Sequence, residues 1–231
     1  RDASGEDMDF PLLGMAEESD WVFMAPFNDK SLIRDALRLE LSRRSMPWAS
    51  YTRYVELVLN GQYNGIYIVA EKIKRDKNRV DISKLEPEDI AGDDLTGGYI
   101  LKLDKSSGGP SEGWTSPYDF PHNSYYQIEY PKIEEITPDQ KNYIRNWITD
   151  FELSMIDEEY DQPGHGFDKY LDLNSFVDFV IMNELTKNVD GYRLSTYFYK
   201  DKDSKDSLLH AGPIWDFNIA LGNANYCGGD A

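Results

Sequence analysis

Two aspartates bracket the most chemically loaded segment of this 231-residue chain. Asp190 sits in Asn188-Val189-Asp190-Gly191-Tyr192, just after an apolar run, and Asp216 sits in Gly212-Pro213-Ile214-Trp215-Asp216-Phe217-Asn218. Between them the pattern predicts a β-hairpin, with strands over 195–200 and 207–214 and a charged turn centred near Asp203. Hairpin pairing is symmetric about its turn. Positions whose numbers add to 406 therefore face one another, and Asp190 with Asp216 is such a pair. The prediction is two carboxylates at the open end of the hairpin, facing one cleft and within reach of a shared metal or phosphate. A metal–nucleotide phosphotransfer site uses such a pair, one acid orienting the nucleophile and the other holding Mg²⁺. The plainer reading makes Asp190 an Asp-Gly turn residue and Asp216 a hydrogen-bonding residue at a strand end. Spacing alone leaves both open.

Segments spread along the chain carry a family resemblance: VELVLNGQYNGIYIVAEKI (55–73), GGYILKLDK (97–105), NVDGY (188–192) and GPIWDFNIALGN (212–223). In this order they resemble the CotH family, the spore coat protein H-like atypical protein kinases. The resemblance covers most of the chain and implies one CotH-like domain over 1–231. It implies an α+β, atypical protein-kinase-like fold, with antiparallel hairpins and a buried central helix. It further implies ATP with Mg²⁺ or Mn²⁺ as cofactors, and phosphorylation of Ser or Thr in a coat or surface protein. The implied location is extracytoplasmic, on the cell surface or in the spore coat.

In that family Asp190 matches the catalytic aspartate and Asp216 the metal-binding aspartate. Two positions depart from the pattern. Asn218 stands where the family often has a second acid after the tryptophan; its carbonyl is a neutral ligand, which lowers affinity for a hard cation. Ser195 stands five residues after Asp190, where the family often has asparagine, and its hydroxyl is a shorter-reaching ligand. Both departures point to a weak or altered kinase. They also favour the rival reading, a non-catalytic surface or coat module that uses the same fold for adhesion or assembly.

The cation that would grip the phosphates is harder to place. Lys72, just past the second strand of the first hairpin, lies where a kinase-like fold aims a cation at the α- and β-phosphates. Its neighbour Glu71 would point the other way if both stay in a strand. A solvent-exposed strand-end lysine is the plain alternative, with Arg53 and Arg79 as further candidates. The stretch from Gly108 to Gly113 lacks a following helix and a P-loop lysine, so it reads as a flexible connector.

Composition narrows the classes. The formal charge of −18 argues against nucleic acid and against a polybasic membrane surface. A single Cys227 excludes an internal disulfide, and no apolar run is long enough to insert in a membrane. Asp201, Asp203 and Asp206 loosely suggest a calcium loop, but Lys205 interrupts the ligand spacing and a solvated hairpin turn accounts for them better. His122, His165 and His210 lack metal-ligand spacing, and His210 reads as structural. The aromatic run Trp114, Tyr118, Phe120, Tyr125 and Tyr126 reads as packing for a long loop, with a carbohydrate or peptide platform as the alternative. The start at Arg1 and the ending Cys-Gly-Gly-Asp-Ala read as an excised fragment or processed product. The family's N-terminal strands and following helices would then lie outside it, and the expectation is feeble or no nucleotide binding and negligible kinase activity by this piece alone.

The elements that must position these residues follow from periodicity. Capping residues at 28–31 precede Leu32, Ile33, Ala36, Leu37 and Leu41 at helical spacing, predicting a helix to about Arg44 that ends at Met46-Pro47. A hairpin over 53–59 and 63–73 turns at Asn60-Gly61, with Val55, Leu57, Leu59, Ile66 and Ile68 suggesting one buried face. Strands follow at 97–104 and 125–130, separated by a mobile loop over 106–118. Thr137-Pro138 opens one helix, and Asn174 caps a very apolar second one.

Overall fold

A computed structural model describes residues 4–106, 113–118 and 124–229. They form a mixed α+β protein with antiparallel sheets and four α-helices among the described residues. The chain makes two compact units. The first comprises Arg1–Ile73, Thr186–Val189 and Asp216–Ala231; the second comprises Lys74–Leu185 and Asp190–Trp215.

The first unit contains β1 (Phe10–Pro11), β2 (Glu17–Glu18), β3 (Trp21–Met24), α1 (Arg34–Ser42), β4 (Thr52–Leu59) and β5 (Gln62–Glu71). Strands β4 and β5 are the predicted hairpin. Asn60 and Gly61 both take left-handed backbone, φ 52° and 77°, as the tight two-residue turn requires. The single buried face holds only at the root. Ile68, Val69 and Ala70 are buried, whereas Leu59 and Ile66 are 58% and 43% exposed. The cause is length: β3 pairs only with Ile68 to Glu71, so the outer part of the hairpin has no third strand beside it.

Helix α1 departs further from expectation. It buries Asp35, Arg38, Leu39 and Ser42, while Ile33 and Leu37 are exposed. Its core-facing stripe has helical spacing, but it is largely polar. Nor is there a side-chain cap at its N-cap, Ile33. Asp29 does that work from further back, accepting from the backbone N–H of Arg34 at 2.9 Å and of Ser31 at 3.0 Å, and from the Arg34 guanidinium.

The second unit contains α2 (Gly92–Leu95), β6 (Tyr99–Leu103), β7 (Gly113–Thr115), β8 (Tyr125–Tyr130), α3 (Pro138–Ile156), α4 (Leu173–Thr186, its last residue counted with the first unit), β9 (Thr196–Lys200) and β10 (Leu209–Ala211). Its sheet runs β10-β9-β6-β8-β7, antiparallel throughout. The core joins Tyr99, Leu101 and Leu103 of β6 to Ile144 and Ile148 of α3. Thr137 caps α3 through a reciprocal capping box with Gln140, and Pro138 takes the first helical position, as predicted.

Three expectations in this unit are corrected. Asp172, not Asn174, caps α4, its carboxylate accepting from Ser175 N–H at 2.8 Å. That helix is buried on one side only: Phe179 and Met182 are inside, while Val177, Val180, Ile181 and Leu185 are exposed. The loop expected over 106–118 includes strand β7, because Trp114 stacks on Tyr126 at 5.3 Å and pins the segment to β8. Residues 107–112 of the glycine-rich stretch, with Phe120 and His122, lie outside the described residues. Among the described residues no helix is long and apolar enough to cross a membrane.

Candidate functional site

The hairpin between the two aspartates forms, but not in the register that symmetry about Asp203 required. Leu209 pairs with Lys200, His210 with Tyr199 and Ala211 with Phe198, so its centre falls between Ser204 and Lys205. The turn is fixed by tertiary bonds instead. Lys200, fully buried, donates to the Thr96 carbonyl at 2.7 Å and pairs with Asp203 at 2.7 Å. Asp201 accepts from Ser83 N–H at 2.9 Å, and Ser204 N–H reaches Asp93 at 2.8 Å. Gly97 permits this close approach: a Cβ there would lie 1.9 Å from the Lys202 nitrogen. These acids are thus structural rather than calcium ligands, and Asp201 is buried rather than solvated. His210 is structural too, stacked on Tyr199 at 4.9 Å and bonded to Asp206 at 2.8 Å.

Asp190, in the second unit, opens a turn in which its carbonyl accepts from Leu194 N–H at 3.2 Å. Its carboxylate is partly exposed and forms an ion pair with Arg193. Two residues of this turn take left-handed backbone, Tyr192 (φ 70°) and Ser195 (φ 47°). The Tyr192 hydroxyl donates to Glu184 at 2.7 Å, and its ring packs edge-on against Phe179 at 6.1 Å. Burial, the bond to Glu184 and that carboxylate's charge push the Tyr192 phenol up to about 12.

Asp216, in the first unit, is exposed and left-handed as well, with φ 55°. Non-glycine residues held there cluster at functional sites, and the surrounding structure must over-determine them. Helix α1 packs against the residue that follows Asp216. The Arg38 guanidinium lies 4.7 Å from the centre of the buried Phe217 ring, next in sequence to Asp216. Arg38 is fully buried; its Nε and Nη2 donate to Asp35 at 3.1 and 2.5 Å, while its Nη1 has no hydrogen-bond partner. Burial lowers the Arg38 pKa, and the carboxylates of Asp35 and Asp216 oppose that. One turn earlier, Arg34 Nε donates to the Leu221 carbonyl at 3.1 Å, and Leu221 N–H reaches the Thr186 carbonyl at 2.6 Å. The carbonyl of Asn218 accepts from the Asn223 side chain at 2.7 Å, leaving the Asn218 amide as the group suited to a cation.

The candidate cations differ sharply. Arg53 is exposed but donates to the carbonyls of Leu13 at 3.2 Å and Thr52 at 2.8 Å. Arg79 is buried. Lys72 is exposed just past β5, and Glu71 before it is buried, accepting from Tyr51 N–H at 3.0 Å, so the two point apart as strand alternation predicts. Among the described residues no group of three or more His, Cys, Asp and Glu gathers as a metal site. Reading from sequence misses Arg34 and Arg38 altogether. The signal that could have found Arg38 is Asp35, Arg38 and Ser42 recurring at helical spacing on one face of α1.

These features define an α+β protein with one acidic loop residue before a hairpin and one after it, the first lying two residues before the left-handed Tyr192 and the second left-handed itself. The chain belongs to the CotH kinase protein family, whose family model matches residues 1–231. No curated protein matches it.

Proposed function

We propose that this chain is an atypical kinase-like domain that binds ATP with Mg²⁺ or Mn²⁺ and phosphorylates Ser or Thr of a protein at the spore coat or cell surface. The observation that carries the reading is the left-handed backbone of the exposed Asp216, next in sequence to Phe217, whose ring lies 4.7 Å from the buried Arg38 guanidinium. The donor set suits the metal. Mg²⁺ is commonly held by one or two carboxylates plus substrate phosphates rather than by an all-protein cage, and Asp216 with the Asn218 amide offers hard oxygen donors of that kind.

Bound ATP would supply the phosphoryl group, and the metal the charge that neutralises its oxygens. Asp190 would accept the proton of the acceptor hydroxyl, and the phosphoryl group would pass to that oxygen with ADP as the leaving group. Asp216 is the metal ligand, Asn218 and Ser195 are neutral secondary donors, and Lys72 rather than Arg53 carries positive charge to the phosphates. The neutral donors favour weak activity and keep the second reading, a non-catalytic coat or adhesion module, in contention. Thermal unfolding with ATP and Mn²⁺ separates the two. A nucleotide site stabilises the fold by about 2.7 kcal/mol at a hundredfold excess over Kd; an adhesion module shows no shift.

A further inference from the structure

A cavity of about 860 Å³ opens within the second unit, walled by Asp104, Thr115, Tyr126, Glu152 and Arg193 among others. We propose that this cavity is the acceptor site: it takes a polar polypeptide segment and presents its hydroxyl to Asp190. The inference rests on the kinase reading above and adds to it the place where the acceptor binds. Arg193 makes the connection, since the side chain that forms part of the cavity wall also pairs with the Asp190 carboxylate.

Five further features agree. Part of the wall is carried by regular elements, Thr115 by β7, Tyr126 by β8 and Glu152 by α3, which hold a site more exactly than loops do. Tyr126 is locked on both sides, its ring stacked on Trp114 and its hydroxyl donating to Glu152 at 3.2 Å. The charged lining balances Asp104 and Glu152 against Lys105 and Arg193, so it lacks the cationic surplus that a polyphosphate requires. Apart from Leu194, the remainder is tyrosine, serine and threonine, and tyrosine and serine are side chains that recognise peptide groups at protein interfaces. Its volume falls within the ~300–1,000 Å³ of ordinary ligand clefts.

The test uses a library of serine-centred peptides with ATP and Mn²⁺. Thr115→Trp, at an exposed position of the cavity wall, should raise KM for the library at least tenfold while the thermal shift with ATP and Mn²⁺ is retained. Arg193→Gln, on an exposed turn, is the second variant should Thr115→Trp fold poorly; it should raise KM and lower kcat together. Hydrogen exchange of the wild-type chain with the library should show protection at 113–116, 124–127 and 192–194. Unchanged KM in a folded variant, or protection elsewhere, overturns the acceptor site and leaves the kinase reading standing. No thermal shift and no transfer by wild type overturns the kinase reading, and this inference with it.

Discussion

Asp216 and Arg38 carry the sharpest consequences at the scale of single residues. Asp216→Asn should abolish the stabilisation that ATP with Mn²⁺ gives, without unfolding the chain, because the residue is exposed and its replacement keeps the hydrogen-bonding shape. Calorimetric titration of ATP and Mn²⁺ into the variant checks this, and unchanged affinity would place the metal elsewhere. Arg38 behaves differently because it is buried. Arg38→Met leaves Asp35 as an uncompensated buried charge, and removing one partner of a buried pair costs about 3–5 kcal/mol. Pairing it with Asp35→Leu should recover most of that loss, since apolar replacements of buried ion pairs are often neutral or stabilising. Urea unfolding measures both. If α1 holds Asp216 through Arg38, the repaired double variant will still bind Mn²⁺–ATP more weakly than wild type. Full affinity in a stable double variant would reduce Arg38 to a packing residue.

At the scale of elements, α1 depends on Asp29. Burial raises the pKa of this carboxyl, but hydrogen bonds from Ser31 and Arg34 outweigh it and hold the group at about 2. A depressed folded-state pKa gives stability that is complete above the unfolded value near 4 and is lost as pH falls through about 2. The amount at stake is on the order of 2 kcal/mol. Asp29→Asn should therefore lower stability at pH 7 and flatten its decline between pH 4 and pH 2, as followed by urea unfolding across that range; an unaltered acid limb would mean that other carboxylates set it. The same helix shows what was legible in the sequence. Strand β8, the Asn60-Gly61 turn and the Thr137-Pro138 helix start were readable because each rests on local chemistry: aromatic residues that favour strands, left-handed turn residues, a capping box. The buried face of α1 was not, since hydrophobic spacing cannot reveal a polar stripe sheltered by partners distant in sequence, such as Phe217. Nor was the register of β9 and β10, which Lys200 and Gly97 set through segments about a hundred residues earlier in the chain. Local symmetry singled out Asp190 and Asp216 through a register that the structure does not use.

At the scale of the whole molecule, charge is the governing term. Asp and Glu number 42 against 24 Lys and Arg, a formal charge of −18. A surface so one-sided repels itself in the folded state, and exposed ion pairs such as Lys84 with Glu86 return little, typically 0–1 kcal/mol each. Salt should therefore stabilise this protein. Between 20 and 200 mM NaCl the screening length falls from about 20 Å to about 7 Å, so repulsion between separated carboxylates is largely removed while close pairs lose less. The expected outcome is a Tm that rises by several degrees over that range; a flat or falling Tm would mean that ion pairs outweigh the repulsion. The same physics fixes how metal binding must be read. Mg²⁺ and Mn²⁺ screen an acidic surface whether or not a site exists, so a rise in Tm with metal alone says nothing of Asp216. Titrations at constant ionic strength remove the general term. What remains should require nucleotide and vanish in Asp216→Asn; a residue of stabilisation that survives that substitution would be diffuse binding to the acidic surface.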